Sequence, residues 1–401
     1  MYGVRKILAR SAQKPRPVAR IIGQCDIKIW GTSSYVRWTR AFKRYEVKDI
    51  GDETTLIHED APSVVLGHQN YVVDETLIKA LIETPDIILV LEKNNQLLPI
   101  AAHCQTDNFA ATVQLLKLSP LNPEAAAALG LKVVKPSDLT SSYNRSLRKR
   151  ADPYIFSLPD DSMDLIEKRM FKGVYKGVTD FVTKYVWPPL ARPVTRWASQ
   201  ANITPNMVTS VSLIFVLLTM WLFVEGHFWL GMITAWIMTF LDTVDGKLAR
   251  VTMTSSPLGN IFDHGIDHIH PPFWWWAWWQ GVITLKPELL QSTGWWFALW
   301  AVLLSYLAGR ILEGWFLWRH KIQIHVWRPI DSFFRLIVAR RNPNLVILMI
   351  GLALGSPEIA FYALAAWSIF CVLFHIYQSV SAENFRSQHD HITSWLSERN
   401  S

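Results

Sequence analysis

Cysteine is scarce in this chain. Cys25, Cys104 and Cys371 are all there are in 401 residues, and they are scattered without the spacing of a metal-binding or redox pair. That excludes a cysteine-ligated metal or dithiol centre and leaves reduced, buried fillers. A cleavable leader is also missing: Met1 to Arg20 is basic, broken by Pro15 and Pro17, and has no apolar core. Long apolar runs are absent from the first 150 residues and plentiful beyond about residue 200. A net charge of +7 makes no case for nucleic acid. The basic residues gather at breaks between apolar runs, where anionic lipid and phosphorylated substrates attract them.

What is present is apolar: half the residues are hydrophobic and 20 are Trp. Six spans are legible, at about 206–225, 228–247, 265–285, 294–314, 343–356 and 357–379. The fifth is short for a crossing, so its start is expected to reach back toward Arg341. Trp274–Trp279, Trp295, Trp296 and Trp300 are expected at membrane interfaces. Arg319, Lys321, Arg328, Arg335, Arg340 and Arg341 crowd the break after the fourth span, with Arg310 just before it. The breaks after spans one, three and five offer only Glu225, Lys286, Glu288 and Glu358. The positive-inside rule then puts both chain ends on the cytoplasmic side.

Against that background, four carboxylates stand out. The chain reads D-T-V-D-G-K-L-A-R from Asp242 to Arg250, then eight residues, then G-N-I-F-D-H-G-I-D from Gly259 to Asp267. An Asp at mid-membrane costs roughly 2.5 to 3.5 kcal/mol, so four demand cations, water and a function. At about 100° per residue, Asp242, Asp245, Gly246, Ala249 and Arg250 share a stripe about 140° wide. Gly259, Asp263 and Asp267, four apart, share one face of a second helix. Two such helices would converge four acids on one point. Close carboxylates reprotonate unless a divalent cation neutralises them, and hard oxygen ligands suit Mg²⁺ or Mn²⁺. Gly246 and Gly259 leave room at the backbone, and Arg250 offers a guanidinium fork to phosphate.

The pattern D-x2-D-G-x2-A-R-x8-G-x3-D-x3-D resembles that of the CDP-alcohol phosphatidyltransferases at every defined position. The resemblance implies a mainly α membrane protein with six transmembrane helices, transferring a substituted phosphoryl group from a CDP-alcohol to an acceptor hydroxyl and releasing CMP. It implies two divalent ions held by Asp242, Asp245, Asp263 and Asp267. Asp242, Asp245, Gly246, Ala249, Arg250, Gly259 and Asp263 would frame the cytidine diphosphate, and Asp267 would be the general base. The site would face the cytoplasm, in the plasma membrane of a bacterium rather than an internal eukaryotic membrane. Related enzymes are commonly homodimers. Ile203-Thr204-Pro205-Asn206 with Thr209 resembles the family's approach to its first span, and Asn206 could reach the polar end of the site.

Residues 1–150 read as a soluble α/β domain. Ile87–Leu91 and Leu97–His103 are strands joined by a turn at Lys93–Gln96, Val47–Ile50 is a further strand, and Ser34–Tyr45, Glu75–Glu83 and Pro123–Leu131 are helices. The element order resembles sugar-phosphate nucleotidyltransferases fused to some CDP-alcohol transferases. The glycine-rich phosphate loop such an enzyme needs is not present, so the domain is read as non-catalytic or degenerate, with a regulatory or partner-binding role. Pro136–Asp164 reads as a linker. Residues 151–200 are assigned to linker and interfacial helix together, the amphipathic Phe171–Ser199 being interrupted at Pro188–Pro189. Residues 201–385 form the membrane domain and 386–401 a polar tail.

The acceptor is the open element. Arg310, Arg335, Arg340 and Arg341 are candidates for binding a phosphorylated acceptor such as glycerol 3-phosphate or inositol phosphate. Serine or an amino alcohol, or a soluble CDP-polyol donor with a lipid acceptor, are variants of the same chemistry. His264 and His268, four apart, could hold zinc but are expected to hydrogen-bond the aspartates, water or headgroups, with His264 supporting the site. Pro271-Pro272 is expected to kink the third span. A retired membrane scaffold and a divalent-cation transporter are the rivals from other classes. The intact motif argues against the first, and acids at the membrane edge against the second.

Overall fold

The structure, a computed structural model, describes residues 16–58, 60–389 and 391–397. The basic opening segment lies for the most part outside the described residues, as do Asp390 and the last four residues of the expected tail. The chain divides into two compact units, Met1–Ser142 with Ala151–Met170, and Tyr143–Arg150 with Phe171–Ser401.

The first unit is built on a six-stranded mixed sheet. Its strands are β1 (Val18–Ile22), β2 (Ile50–Asp52), β3 (Val64–His68), β4 (Ile87–Lys93), β5 (Gln96–Cys104) and β6 (Lys132–Val134), in the spatial order β2-β1-β3-β5-β4-β6. β1 pairs parallel with both β2 and β3, whereas β5 runs antiparallel to β3 and β4. β4 and β5 form a hairpin because Asn94 and Asn95 both take positive φ, the conformation a two-residue turn needs. Val18, Ile22, Val64, Leu66, Ile88, Val90 and Ala102 form a continuous core with Val113, Leu116 and Leu131. The strand expected at Val47–Ile50 forms three residues later, at Ile50–Asp52.

The expected linker folds. Ile155–Ser157 pairs antiparallel with Tyr71–Val73 and belongs to the first unit. Tyr143–Asn144 pairs with Lys149–Arg150 as a small hairpin of the second unit. Hydrogen bonds to distant segments order much of this stretch, Ile155–Ser157 to Tyr71–Val73 and Arg150 to the Leu396 carbonyl, and its short strands carry too little periodicity to be read as such. The interfacial segment also differs. Its helix begins with a π-type turn at Val182–Val186 and continues as α1 (Trp187–Gln200), so Pro188 and Pro189 fall in the first turn of the α-helical part, where the hydrogen bonding changes from π to α, and do not end the helix. Pro lacks an N–H that a first turn would leave unpaired anyway.

Six longer helices follow among the described residues, α2 (Pro205–Val224), α3 (Phe228–Val251), α4 (Pro257–Leu285), α5 (Thr293–His320), α6 (Arg341–Ala353) and α7 (Pro357–Gln388), with the short helix Pro329–Phe334 between α5 and α6. Residues 386–388, assigned to the tail, are the last of α7. Among the described residues, α2, α5 and α7 are long and apolar enough to cross a membrane. Ser256 caps α4, its Oγ accepting from the Gly259 N–H at 3.0 Å. α4 stays helical through Pro271 and Pro272. α2 packs along α3 and α4, α5 along α7, and α6 against α7 and α3.

The core between these helices is aromatic. Trp274, Trp275, Trp278, Trp279 and Trp295 are buried, together with Phe223, Phe228 and Phe361. The tryptophans expected at the interfaces are thus mostly internal, and only Trp276, Trp296 and Trp300 are exposed. Three of the buried indoles donate to backbone carbonyls, Trp274 to Val216 at 2.9 Å, Trp278 to Pro357 at 3.1 Å and Trp279 to Trp295 at 3.0 Å. A buried indole with its N–H satisfied supplies large apolar area without a polar penalty. Of the cysteines, Cys104 and Cys371 are buried, Cys25 is half-buried, and all three are free.

Candidate active site

The motif spans the C-terminal half of α3 and the first turns of α4, and the fold brings its two parts together. Asp242, Asp245 and Asp263 each offer a carboxylate oxygen, and these lie within 4.8 Å of one another. Two unit charges at that separation repel by about 3.5 kcal/mol at an effective dielectric of ~20. Three such pairs in a buried place call for a cation. Asp245 adds a second sign: its Oδ2 accepts from the Thr209 hydroxyl at 2.6 Å, while its buried Oδ1 has no hydrogen-bond partner among the described residues. A divalent ion with hard oxygen ligands fits this donor set.

Asp267 stands outside that trio. Its Oδ1 accepts from Arg341 Nη1 at 2.5 Å, and the other end of the same guanidinium donates to Asp242 Oδ2 at 2.5 Å. Arg341, a candidate for the acceptor, therefore bridges two of the acids.

Asp242, Asp263, Asp267 and Arg341 line a cavity of about 240 Å³, and Asp245 lies outside its lining. Gly246, Arg250 and His264 line it too, as do Arg310, Arg335 and Arg340. Arg250 lies over Gly246, where an added Cβ would sit 3.1 Å from its Nη2, and its Nε donates to the Val174 carbonyl at 3.1 Å. At Gly259 a Cβ would come within 2.9 Å of Asn206 Oδ1. That glycine thus admits Asn206, which reaches the start of α4. Ala249 and Gly259 are not among the cavity-lining residues. His264 and His268 stack with ring centroids 6.3 Å apart. His268 Nδ1 pairs with the His264 carbonyl at 2.7 Å, and among the described residues neither histidine belongs to a group able to hold a metal.

The cavity also contains residues the sequence reading passed over. Lys247 is buried inside the motif, its ammonium 3.8 Å from the centre of the Tyr175 ring. Its place between Gly246 and Ala249 was the only signal. Asp180, Lys176 and Arg148 come from irregular stretches, and Asn342 from the first turn of α6. Asp180 Oδ1 accepts from Asn342 Nδ2 at 2.9 Å and from the Thr183 N–H at 3.0 Å. Burial acts to raise the Asp180 carboxyl, but the nearby Arg335 charge and these hydrogen bonds hold it below the usual range. Burial, reinforced by repulsion from Arg148 and Arg250, pushes Lys176 down to about 8. Arg148 is lowered to about 10, again chiefly by burial and then by Arg340.

Residues 202–374 match the sequence model of the CDP-alcohol phosphatidyltransferase family. This part of the chain is similar to the domain of that membrane-embedded family of transferases, which use divalent metal ions, CDP-alcohol donors and alcohol acceptors. The chain is 32% identical over 161 residues to a class-I family protein of Schizosaccharomyces pombe, covering 37% of this chain and 35% of that one. It is 29% identical over 137 residues to cholinephosphotransferase 1 of Xenopus laevis (31% and 33% of the two chains). With choline/ethanolaminephosphotransferase 2 of Arabidopsis thaliana the identity is 34% over 113 residues (24% and 28%). The chain spans about a third of the length of these relatives. All three organisms are eukaryotes, so the expectation of a bacterial plasma membrane finds no support here.

Proposed function

We propose that the chain transfers a substituted phosphoryl group from a CDP-alcohol, CDP-diacylglycerol first among them, to the hydroxyl of a phosphorylated polyol such as glycerol 3-phosphate or inositol phosphate. The observation that carries this reading is the gathering of Asp242, Asp245 and Asp263, the first and last of them lining a cavity whose remaining wall is rich in arginine. Arg250 and Lys247 lie beside the acids and suit a diphosphate. Arg310, Arg335 and Arg340 suit a second anionic group.

Asp242, Asp245 and Asp263 would hold Mg²⁺ or Mn²⁺, with Asp267 completing the set for two ions. Such ions, when bound, neutralise the diphosphate and polarise its phosphoryl oxygens. Asp267 takes the proton as the acceptor oxygen bonds to the phosphorus next to the donor alcohol. The bond from that phosphorus to the CMP oxygen breaks, and CMP leaves with the electron pair, its charge met by Arg250. Arg341 keeps Asp267 oriented until the acceptor arrives. Positioning and charge neutralisation supply most of the rate in such displacements.

All six helices α2–α7 cross the membrane in this reading, with α1 at its surface and the acids on the cytoplasmic side. The first unit is non-catalytic and serves regulation or partner binding. A second reading has one observation in its favour. The relatives' names speak of choline and ethanolamine phosphates, which suits a soluble CDP-alcohol donor and a lipid acceptor. Supplying the purified chain with CDP-diacylglycerol or CDP-choline, and acceptors one at a time, decides between them. Phosphatidyl products on glycerol 3-phosphate or inositol phosphate support the first reading. Phosphatidylcholine from CDP-choline and diacylglycerol, with none of the former, refutes it.

A further inference from the structure

A second cluster of charged side chains stands behind the arginine wall of the cavity. Glu313 lies on α5 within hydrogen-bonding reach of two arginines and a histidine. Its Oε1 accepts from Arg310 Nη2 at 2.7 Å and lies 3.2 Å from His325 Nε2, and its Oε2 accepts from Arg340 Nη2. His375 Nε2 is 3.7 Å from Oε1. Behind the histidines the order continues: His375 Nδ1 pairs with Gln378 Oε1 at 2.7 Å, Gln378 Nε2 donates to Asp331 Oδ1 at 2.9 Å, and Asp331 is held by Arg328.

Glu313, His325 and His375 offer ligand atoms within 4.8 Å of one another, a composition that suits a transition metal. The two guanidiniums decide against one. Both carboxylate oxygens are already shared with Arg310 and Arg340, and a divalent ion there would stand against two fixed positive charges. What the cluster does is hold those arginines still. Among the described residues, the buried Nε atoms of Arg310 and Arg340 meet no hydrogen-bond partner, nor do Nε and Nη1 of Arg335. Arg335 is only 7% exposed, and all three arginines line the cavity that holds the aspartates. Buried guanidinium N–H groups left unpaired are rare, and three side chains with such groups converging on one cavity point to an anionic ligand.

We propose that Glu313 is a positioning residue. Backed by His325 and His375, it locks Arg310 and Arg340 into a fork that, with Arg335, receives the dianionic phosphomonoester of the acceptor. Holding the fork in advance spares the ordering of two long side chains on binding. The inference rests on the reading of the chain as a transferase with a phosphorylated acceptor, and it assigns that specificity to a residue outside the aspartate motif.

The test uses the full chain in lipid nanodiscs, with CMP release measured at varied CDP-diacylglycerol and varied glycerol 3-phosphate or inositol phosphate. Glu313→Gln should raise KM for the phosphorylated acceptor at least about tenfold, leaving KM for CDP-diacylglycerol within about twofold. Arg340→Gln should do the same, and the double variant should lose less than the product of the two single losses, because the two share the contact between Glu313 and Arg340. Glu313→Asp should recover part of the loss. Inorganic phosphate should compete with the acceptor in the wild type and more weakly in Arg310→Gln and Arg340→Gln, a readout that stands if Glu313→Gln does not fold. Equal losses toward donor and acceptor, or zinc retained by the wild type and lost in Glu313→Gln, overturn the inference. So does an unchanged acceptor KM in Glu313→Gln, which leaves the wider reading standing. A wild type that accepts only neutral alcohols overturns both the acceptor class and the inference, and absence of CMP release from any CDP-alcohol overturns the function itself.

Discussion

Asp245 shows how much one side chain depends on its neighbours. The Thr209 hydroxyl donates to Oδ2 and fixes the carboxylate, while buried Oδ1 has no hydrogen-bond partner among the described residues. Thr209→Val removes a hydrogen bond to a charged group, worth about 1.5 to 3 kcal/mol. It should raise the Mg²⁺ concentration for half-maximal CMP release by about tenfold or more, which a metal titration reads directly. Lys176 gives a pH signature. Burial and neighbouring arginines lower it from 10.5 to about 8, so the folded protein loses this cavity charge as pH rises through about 8. Affinity for CDP should then fall above pH 8 in the wild type and stay flatter in Lys176→Met, as calorimetry across pH 7 to 9.5 would show. Between about 8 and 10.5 the unfolded chain holds a proton the folded one lacks, so this residue's penalty on stability eases as pH rises. The acids and Arg250 were legible because their spacing is fixed by the helical repeat. Lys176, Asp180 and Arg148 were not, because they reach the cavity from stretches with no period to read.

At the scale of elements, the apolar runs betrayed the helices and hid their surroundings. A run near 206–225 becomes Pro205–Val224, and the short fifth run does begin at Arg341. Length and hydropathy fix such helices, yet they do not say which face is inside. The Trp274–Trp279 stretch was therefore read as interfacial, whereas helix against helix buries four of its five indoles. Gly281 permits that packing: a Cβ there would fall on the Phe223 carbonyl oxygen where α4 meets α2. Gly281→Ala should overpack this contact and destabilise by about 1 to 3 kcal/mol, seen as a lower melting temperature in detergent. A matching Gly309→Ala, which meets nothing within 4 Å, should leave it unchanged.

For the whole molecule, the charge pattern carries the topology. In the proposed orientation the loop between α3 and α4 faces the cytoplasm, and the loop between α4 and α5 faces the opposite side. In a cysteine-free background, Ser255→Cys should react with an impermeant thiol reagent only from the cytoplasmic side and Ser292→Cys only from the other. The reverse pattern would turn the site away from a cytosolic supply of CDP-alcohol. The first unit has its own sheet and core, and its strands were legible where a turn such as Asn94-Asn95 separates two apolar runs. The short strands of residues 143–157 were lost for want of any such run.

CMP release by the purified full chain, titrated with Mg²⁺ in the wild type and in Asp263→Asn, bears most directly on the whole account. Metal-dependent release, one CMP per lipid product, should fall by at least about a hundredfold in the variant, as expected when a ligand to a phosphate-neutralising ion is lost. Release that ignores the metal, or a variant that turns over like the wild type, would contradict the assignment of the aspartates as the seat of the chemistry.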